Sequence, residues 1–139
     1  IRAGGDRNFG YLLGDRDAKR AVLIDPSYTP DAFVARAADQ GLTVSHVINT
    51  HSHPDHVNGN ERAVEMTQAV VGGHPLLRPG LALEDGQTLT IGSLKLRCLY
   101  VPGHCPDHIA LYEVNHRLLI TGDLYRYMTD LARLSGWQI

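Results

Sequence analysis

The chain of 139 residues is poor in several features, and each shortage excludes something. It has two cysteines, Cys98 and Cys105, too few for a disulfide framework, so a reducing cytoplasm is the expected compartment. It has no Lys/Arg-rich run and a formal net charge of -2, so there is no electrostatic footprint for a nucleic acid. No apolar run approaches the roughly 20 residues needed to span a bilayer, which argues against a membrane partner. No secretory signal is visible; the first residue is Ile1 rather than Met, so a preceding segment stays open. Repeats, low-complexity segments and linkers are absent, which favours a single domain over residues 1–139.

What is present reads as soluble and globular. Hydrophobic residues make up 43% and charged residues 20%, enough for one domain with a real core. "FGYLLGD" (Phe9 to Asp15) and "RAVLIDP" (Arg20 to Pro26) read as strands joined by a charged hairpin connection. A helix follows: Thr29 as its cap, Pro30 and Asp31 in its first turn, Phe33, Val34, Ala37 and Ala38 on one face, and Gly41 as its stop. "SHVINT" (Ser45 to Thr50) reads as a strand, "GNERAVEMTQA" as a helix and "VVGG" as a short strand. "LTIG" and "SLKLRCLYVPG" read as strands joined at Gly92-Ser93, and "HIALYEV" and "RLLITGD" as a hairpin turned at Asn115-His116. The tail from Tyr125 reads as an amphipathic helix with Met128, Leu131 and Leu134 on one side. The pattern is mixed α/β.

Eight histidines are many for this length, and three of them fall with an aspartate in "THSHPDHVNGN". This cluster follows the carboxyl end of a strand, where α/β folds habitually place ligand sites. In an extended segment, residues two apart point the same way, so His51 and His53 can face one ion. Asp55 and His56 follow Pro54, which bends the chain, and suit a second ion. Imidazole and carboxylate are ligands for Zn²⁺, Fe and Mn, and a catalytic zinc takes three protein ligands plus water. The cluster supplies two per ion. His104, in a Pro/Gly-flanked loop after a strand, and Asp123, after Gly122 at another strand end, can complete both sets. Counting gives His51, His53 and His104 on one ion and Asp55, His56 and Asp123 on the other, with the two oxygens of Asp123 able to bridge. Two divalent ions so held would lower the pKa of a shared water to near ~7.

These residues resemble the metallo-β-lactamase superfamily, with its HxHxDH motif, and within it the glyoxalase II group of thioester hydrolases. "NFGYLLGD…AVLIDPS", "THSHPDHVNGN", "PGHCPDHIALY" and "ITGD" carry the resemblance in order and spacing, from Asn8 to Leu124. The resemblance implies an αββα sandwich, here lacking much of its second half, and hydrolysis of a glutathione thioester such as S-lactoylglutathione by a hydroxide held between two metals. Zn is the expected metal, with Fe or Mn as alternatives. Asp55 would orient the attacking water or take its proton. The family's last metal-binding histidine has no counterpart after Asp123. Residues missing from this chain, a second half lent by a partner in a homo-oligomer, or a half dispensed with would each explain that. Missing residues fit best, because a lone first half would leave one sheet largely uncovered.

A second reading is a persulfide dioxygenase of the same superfamily, with one Fe(II) on His51, His104 and Asp123. A third is a truncated, non-catalytic metal-binding module. A nuclease is disfavoured by the charge, and a β-lactamase proper by the lack of secretory context. The expected partner is a small-molecule substrate, a glutathione conjugate if the resemblance extends that far. His108 reads as supporting the ligands, with a reserve role as ligand. His46, His74 and His116 read as structural, Cys98 as core, and Cys105 as a small loop-filling residue with a metal or redox role as its alternative.

Overall fold

Strands β1 (Tyr11–Asp15) and β2 (Arg20–Ile24) pair antiparallel. Their turn is closed by Asp15, whose Oδ1 accepts the N–H groups of Asp17 and Ala18 at 2.8 and 3.0 Å. The computed structural model describes residues 1–2 and 8–125. Helix α1 (Pro30–Asp39) buries Phe33 and Ala37. Thr29 stands at the N-cap as expected and its carbonyl accepts the Ala32 N–H at 3.1 Å, but its side chain makes no capping bond; the hydroxyl donates to the Arg2 carbonyl at 3.5 Å. Pro30 has no N–H to offer, so the first turn closes through the backbone. Gly41, at φ +68°, ends the helix by donating to the Ala38 carbonyl at 2.8 Å.

Strand β3 (Thr43–Ile48) runs parallel to β2, beginning two residues before the expected Ser45. A single turn, α2 (Pro54–Val57), and α3 (Asn60–Thr67) lead to β4 (Val70–Gly73), which is parallel to β3. A 3₁₀ turn at Pro75–Leu77 and the two-residue strand β5 (Leu81–Ala82) were not legible, being too short to show a period. The first sheet therefore has the order β1-β2-β3-β4-β5. The second sheet is an antiparallel meander of β6 (Thr88–Ile91), β7 (Leu94–Tyr100), β8 (Ile109–Glu113) and β9 (Leu118–Ile120).

Strand β2 explains the layering. All of Ala21, Val22, Leu23 and Ile24 are fully buried, as in a strand covered on both faces. Ala21 and Leu23 pack with Phe33, Ala37 and Ala63 from the helices. Val22 and Ile24 pack with Leu96, Cys98, Ile109, Leu111 and Ile120 of the second sheet. The molecule is an α/β domain with the helix–sheet–sheet layers of an αββα sandwich. The inner faces of both sheets cover each other; the outer helical layer over the second sheet is not formed among the described residues. The helix expected in the tail, with Met128, Leu131 and Leu134, lies outside them. No described helix is long and apolar enough to cross a membrane.

The minor histidines have local partners. His46 Nδ1 lies 2.9 Å from Ser45 Oγ, and His116 pairs with the buried Glu113 at 2.7 Å in its hairpin turn. His74 accepts the Leu76 N–H and stacks on Tyr100 with ring centroids 4.6 Å apart.

Candidate metal centre

The carboxyl ends of β2, β3, β7 and β9 converge on one rim, and each delivers a polar residue there. After β3 the chain does not stay extended as expected but bends at Thr50 and His51, both fully buried. His53 stands just before α2 with extended backbone angles, and the α2 turn folds His56 back beneath the cluster, its N–H bonded to the His53 carbonyl at 2.9 Å. Pro54 opens that turn, so the expected bend is one turn of helix.

The structure brings all six sequence-predicted ligands together. His53 Nδ1 is a hub, 3.0 Å from His51 Nε2 and 2.9 Å from His104 Nε2. Asp123 stands between the two halves of the site. Its Oδ2 is 3.6 Å from His104 Nε2 and its Oδ1 is 3.5 Å from His56 Nε2. Asp55 Oδ2 lies 4.0 Å from His56 Nε2 and accepts a hydrogen bond from Asn8 Nδ2 at 2.6 Å.

Behind these residues lies one that the sequence reading did not single out. Asp25, buried at the end of β2, accepts the Thr50 N–H at 2.8 Å and the Thr50 hydroxyl at 2.6 Å. Its Oδ2 also stands 2.9 Å from His56 Nδ1. The proton of His56 Nδ1 therefore points at Asp25, which leaves Nε2 facing Asp123 and Asp55. Thr50 has spent its only hydroxyl proton on Asp25, so at 3.0 Å it accepts from His51 Nδ1. His51 Nε2 is then a bare lone pair aimed at the hub. One carboxylate thus sets the tautomers of two imidazoles on different halves of the site. Asp25 carries the same signature as Asp123, an aspartate at a strand end, and could have been found that way; Asn8 carries no comparable signal.

His108 is fully buried, and its Nε2 accepts the Asp123 N–H at 3.1 Å. It acts on the ligand from behind and is not itself a donor to the site. Its Nδ1 has no hydrogen-bonding partner among the described residues. Gly122 permits this closeness: at φ +52°, a Cβ there would stand 2.7 Å from Thr50 Oγ1 and 2.8 Å from His108 Nε2.

Charge follows from burial and neighbours. Burial, reinforced by the other imidazoles, pushes His51 down to about 3, and burial pushes His108 down to about 4. Both are neutral near pH 7, the form in which imidazole binds metal. Burial opposes charge on His56 too, but Asp123 and Asp25 outweigh it and raise its pKa to about 10. The Asp25 contact is the shorter, at 2.9 Å against 3.5 Å, and is the stronger hydrogen bond. His56 in turn holds Asp123 down at about 2. Asp55 is lowered: the Asn8 hydrogen bond and His56 overcome its burial. Burial and the neighbouring Asp107 push the Cys105 thiol up to about 12.

The donor set fits a cation. Three imidazole nitrogens converge on one point, and a single shared proton cannot satisfy them all. Metal–nitrogen bonds of about 2.0–2.1 Å put the donors of a tetrahedral site about 3.3 Å apart. The contacts of 2.9, 3.0, 3.5 and 3.6 Å bracket that spacing. A cleft of about 110 Å³ opens beside His56 and Asp123, with Phe9 and Tyr11 as its aromatic side.

A sequence model of the metallo-beta-lactamase superfamily matches residues 3–84. The chain belongs to that superfamily. It is 32% identical over 121 residues to a hydroxyacylglutathione hydrolase of Francisella tularensis, covering 84% of this chain and 47% of the relative. It is 33% identical over 119 residues to the mitochondrial persulfide dioxygenase ETHE1 of Homo sapiens, covering 83% of this chain and 47% of the relative. The chain thus spans about half the length of the curated relatives it matches. Among solved structures, the BLEG-1 B3 metallo-beta-lactamase superposes with a TM-score of 0.77 at 22% identity, over 86% of this chain and 68% of that one. TTHA1623 in a di-iron-bound form gives a TM-score of 0.72 at 24% identity, over 96% of this chain and 85% of that one. The superfamily fold expected from the HxHxDH motif is therefore the fold of this chain. The two curated relatives differ in chemistry at nearly equal identity, so membership leaves the reaction open.

Proposed function

We propose that this chain carries the metal-binding half of a thioester hydrolase site, acting on a small glutathione-type thioester with two divalent ions, zinc in the first instance. The observation that carries this reading is the position of Asp123, one oxygen toward His104 and the other toward His56. That geometry suits a carboxylate shared by two ions, one on His51, His53 and His104 and the other on Asp55 and His56. When bound, such ions supply Lewis acidity and make water acidic enough to react near neutral pH.

The chain's own residues do the rest. Asp25 and Thr50 hold His51 and His56 in the tautomers that leave Nε2 as donor. Asn8 steadies Asp55, which orients the attacking water and takes its proton. The leaving thiolate needs little protonation, so no general acid is required beside the sulfur. The cleft lined by Phe9 and Tyr11 gives the substrate an apolar wall beside this polar centre. Two free thiols, Cys98 and Cys105, fit a reducing cytoplasm.

A second reading has its own support. One donor atom each from His51, His104 and Asp123 lie within 4.8 Å of one another, a two-histidine, one-carboxylate set suited to a single Fe(II) and a persulfide substrate. Metal content and turnover on the purified protein separate the two. Two metals per chain with thioester hydrolysis support the first; one iron with O₂ consumption on glutathione persulfide replaces it with the second. Neither metal nor turnover, from a chain of verified mass, leaves a non-catalytic module. His53→Ala sharpens the test: the hydrolase loses metal and activity, while the dioxygenase keeps its iron.

A further inference from the structure

The loop between β7 and β8 delivers a sulfur to the metal centre as well as an imidazole. Donor atoms of His51, His53 and Cys105 lie within 4.8 Å of one another. His51 is fully buried and Cys105 half-buried.

The loop is built to hold Cys105 there. Its carbonyl accepts the His108 N–H at 3.4 Å and the Gly103 N–H at 3.5 Å, and the next carbonyl, of Pro106, accepts the Tyr100 hydroxyl at 2.8 Å. Tyr100 is itself stacked on His74.

We propose that Cys105 is a further, sulfur ligand of the ion held by His51, His53 and His104. This rests on the reading that those histidines hold an ion. A zinc–sulfur bond of about 2.3 Å and zinc–nitrogen bonds of about 2.0–2.1 Å require S···N separations of roughly 3.6 Å. Donor atoms that lie within 4.8 Å of one another draw in to that spacing when an ion binds between them. On coordination the S–H bond breaks, its electron pair becomes the sulfur–metal bond, and the proton leaves to solvent. Thiolate favours softer ions over Mn²⁺, so the sulfur biases this position toward zinc-like metals.

The test is Co²⁺ substitution of the full chain, read by absorption spectroscopy. The expected spectrum has visible bands of bound cobalt together with a near-ultraviolet sulfur-to-cobalt charge-transfer band. That band is lost in Cys105→Ser and kept in Cys98→Ser, and Cd²⁺ affinity falls about tenfold or more in Cys105→Ser. Visible bands without the charge-transfer band would overturn the sulfur ligand and leave the histidine site standing. A band that survives in Cys105→Ser would overturn it as well. Absence of any bound cobalt would overturn both the ligand and the metal reading beneath it. Circular dichroism of Cys105→Ser, matching that of the parent, separates loss of a ligand from loss of the fold.

Discussion

Asp25 Oδ2 stands 2.9 Å from His56 Nδ1, with both side chains buried beneath the metal centre. The strand that carries Asp25 gives no ligand, yet its carboxylate decides which nitrogen of His56 faces the ligands. Asp25→Asn keeps the shape and removes the charge. Partners of this kind typically matter by 10–100-fold in metal affinity. We expect a loss of that order at the His56 half of the site, measured by competition against a chromogenic chelator. Unchanged affinity would mean that His56 is oriented by something else.

Gly122→Ala introduces a Cβ where Thr50 Oγ1 and His108 Nε2 stand 2.7 and 2.8 Å away, at a residue with φ +52°. The new methyl group must displace Thr50 or His108, and with it the Asp123 N–H bond. The expected result is a chain that retains its secondary structure by circular dichroism but binds at least tenfold less metal. Full metal binding in this variant would show that Asp123 is not positioned through Gly122.

Without metal, stability should fall on both sides of a maximum. His56, raised from 6.5 to about 10, contributes stability that is fully present below about pH 6.5 and is lost as pH climbs through about 10. His51 and His108, lowered to about 3 and 4, act in the opposite sense. The unfolded chain protonates them below about pH 6.5 while the fold keeps them neutral, so stability drops as pH falls. Urea midpoints in chelator should therefore peak near neutrality. His56→Gln should flatten the alkaline limb and leave the acidic one; an alkaline limb unchanged in this variant would contradict the role given to His56.

Metal binding to His56 must displace that proton. Calorimetry at pH 8, in buffers of different ionisation enthalpy, should register about one proton released per ion at this half of the site. No release would place the ion elsewhere.

Leu111 is fully buried between the two sheets. Leu111→Ala should cost about 2–5 kcal/mol by urea unfolding, because the cavity left between two rigid sheets collapses poorly. A loss below about 1 kcal/mol would mean that the sheets do not pack as a single core.

The HxHxDH spacing, with His104 and Asp123 after later strands, was enough to name the superfamily and to pick out the candidate ligands that the fold brings together. Ligand chemistry is a property of residue type, and the direction of a side chain follows from local periodicity, both of which are written in the chain. Strands rich in alternating aliphatics, from Arg20–Ile24 to Ile109–Glu113, were legible for the same reason. The two-residue strand Leu81–Ala82 was not, since only its pairing with β4 makes it a strand. Thr29 was rightly placed at the start of α1, but its hydroxyl turns to the Arg2 carbonyl rather than to the helix N–H groups, a contact 27 positions away that no local rule gives. Asp25 is the clearest case. By sequence it lies 31 positions from His56, and no local rule connects them; the parallel pairing of β2 with β3 puts their carboxyl ends side by side. The sequence by itself determined which atoms are able to hold a metal. Only the tertiary structure decided that Asp25 lies behind His56 while Asp123 stands between His56 and His104, because that depends on which strand ends the two sheets bring to the same rim.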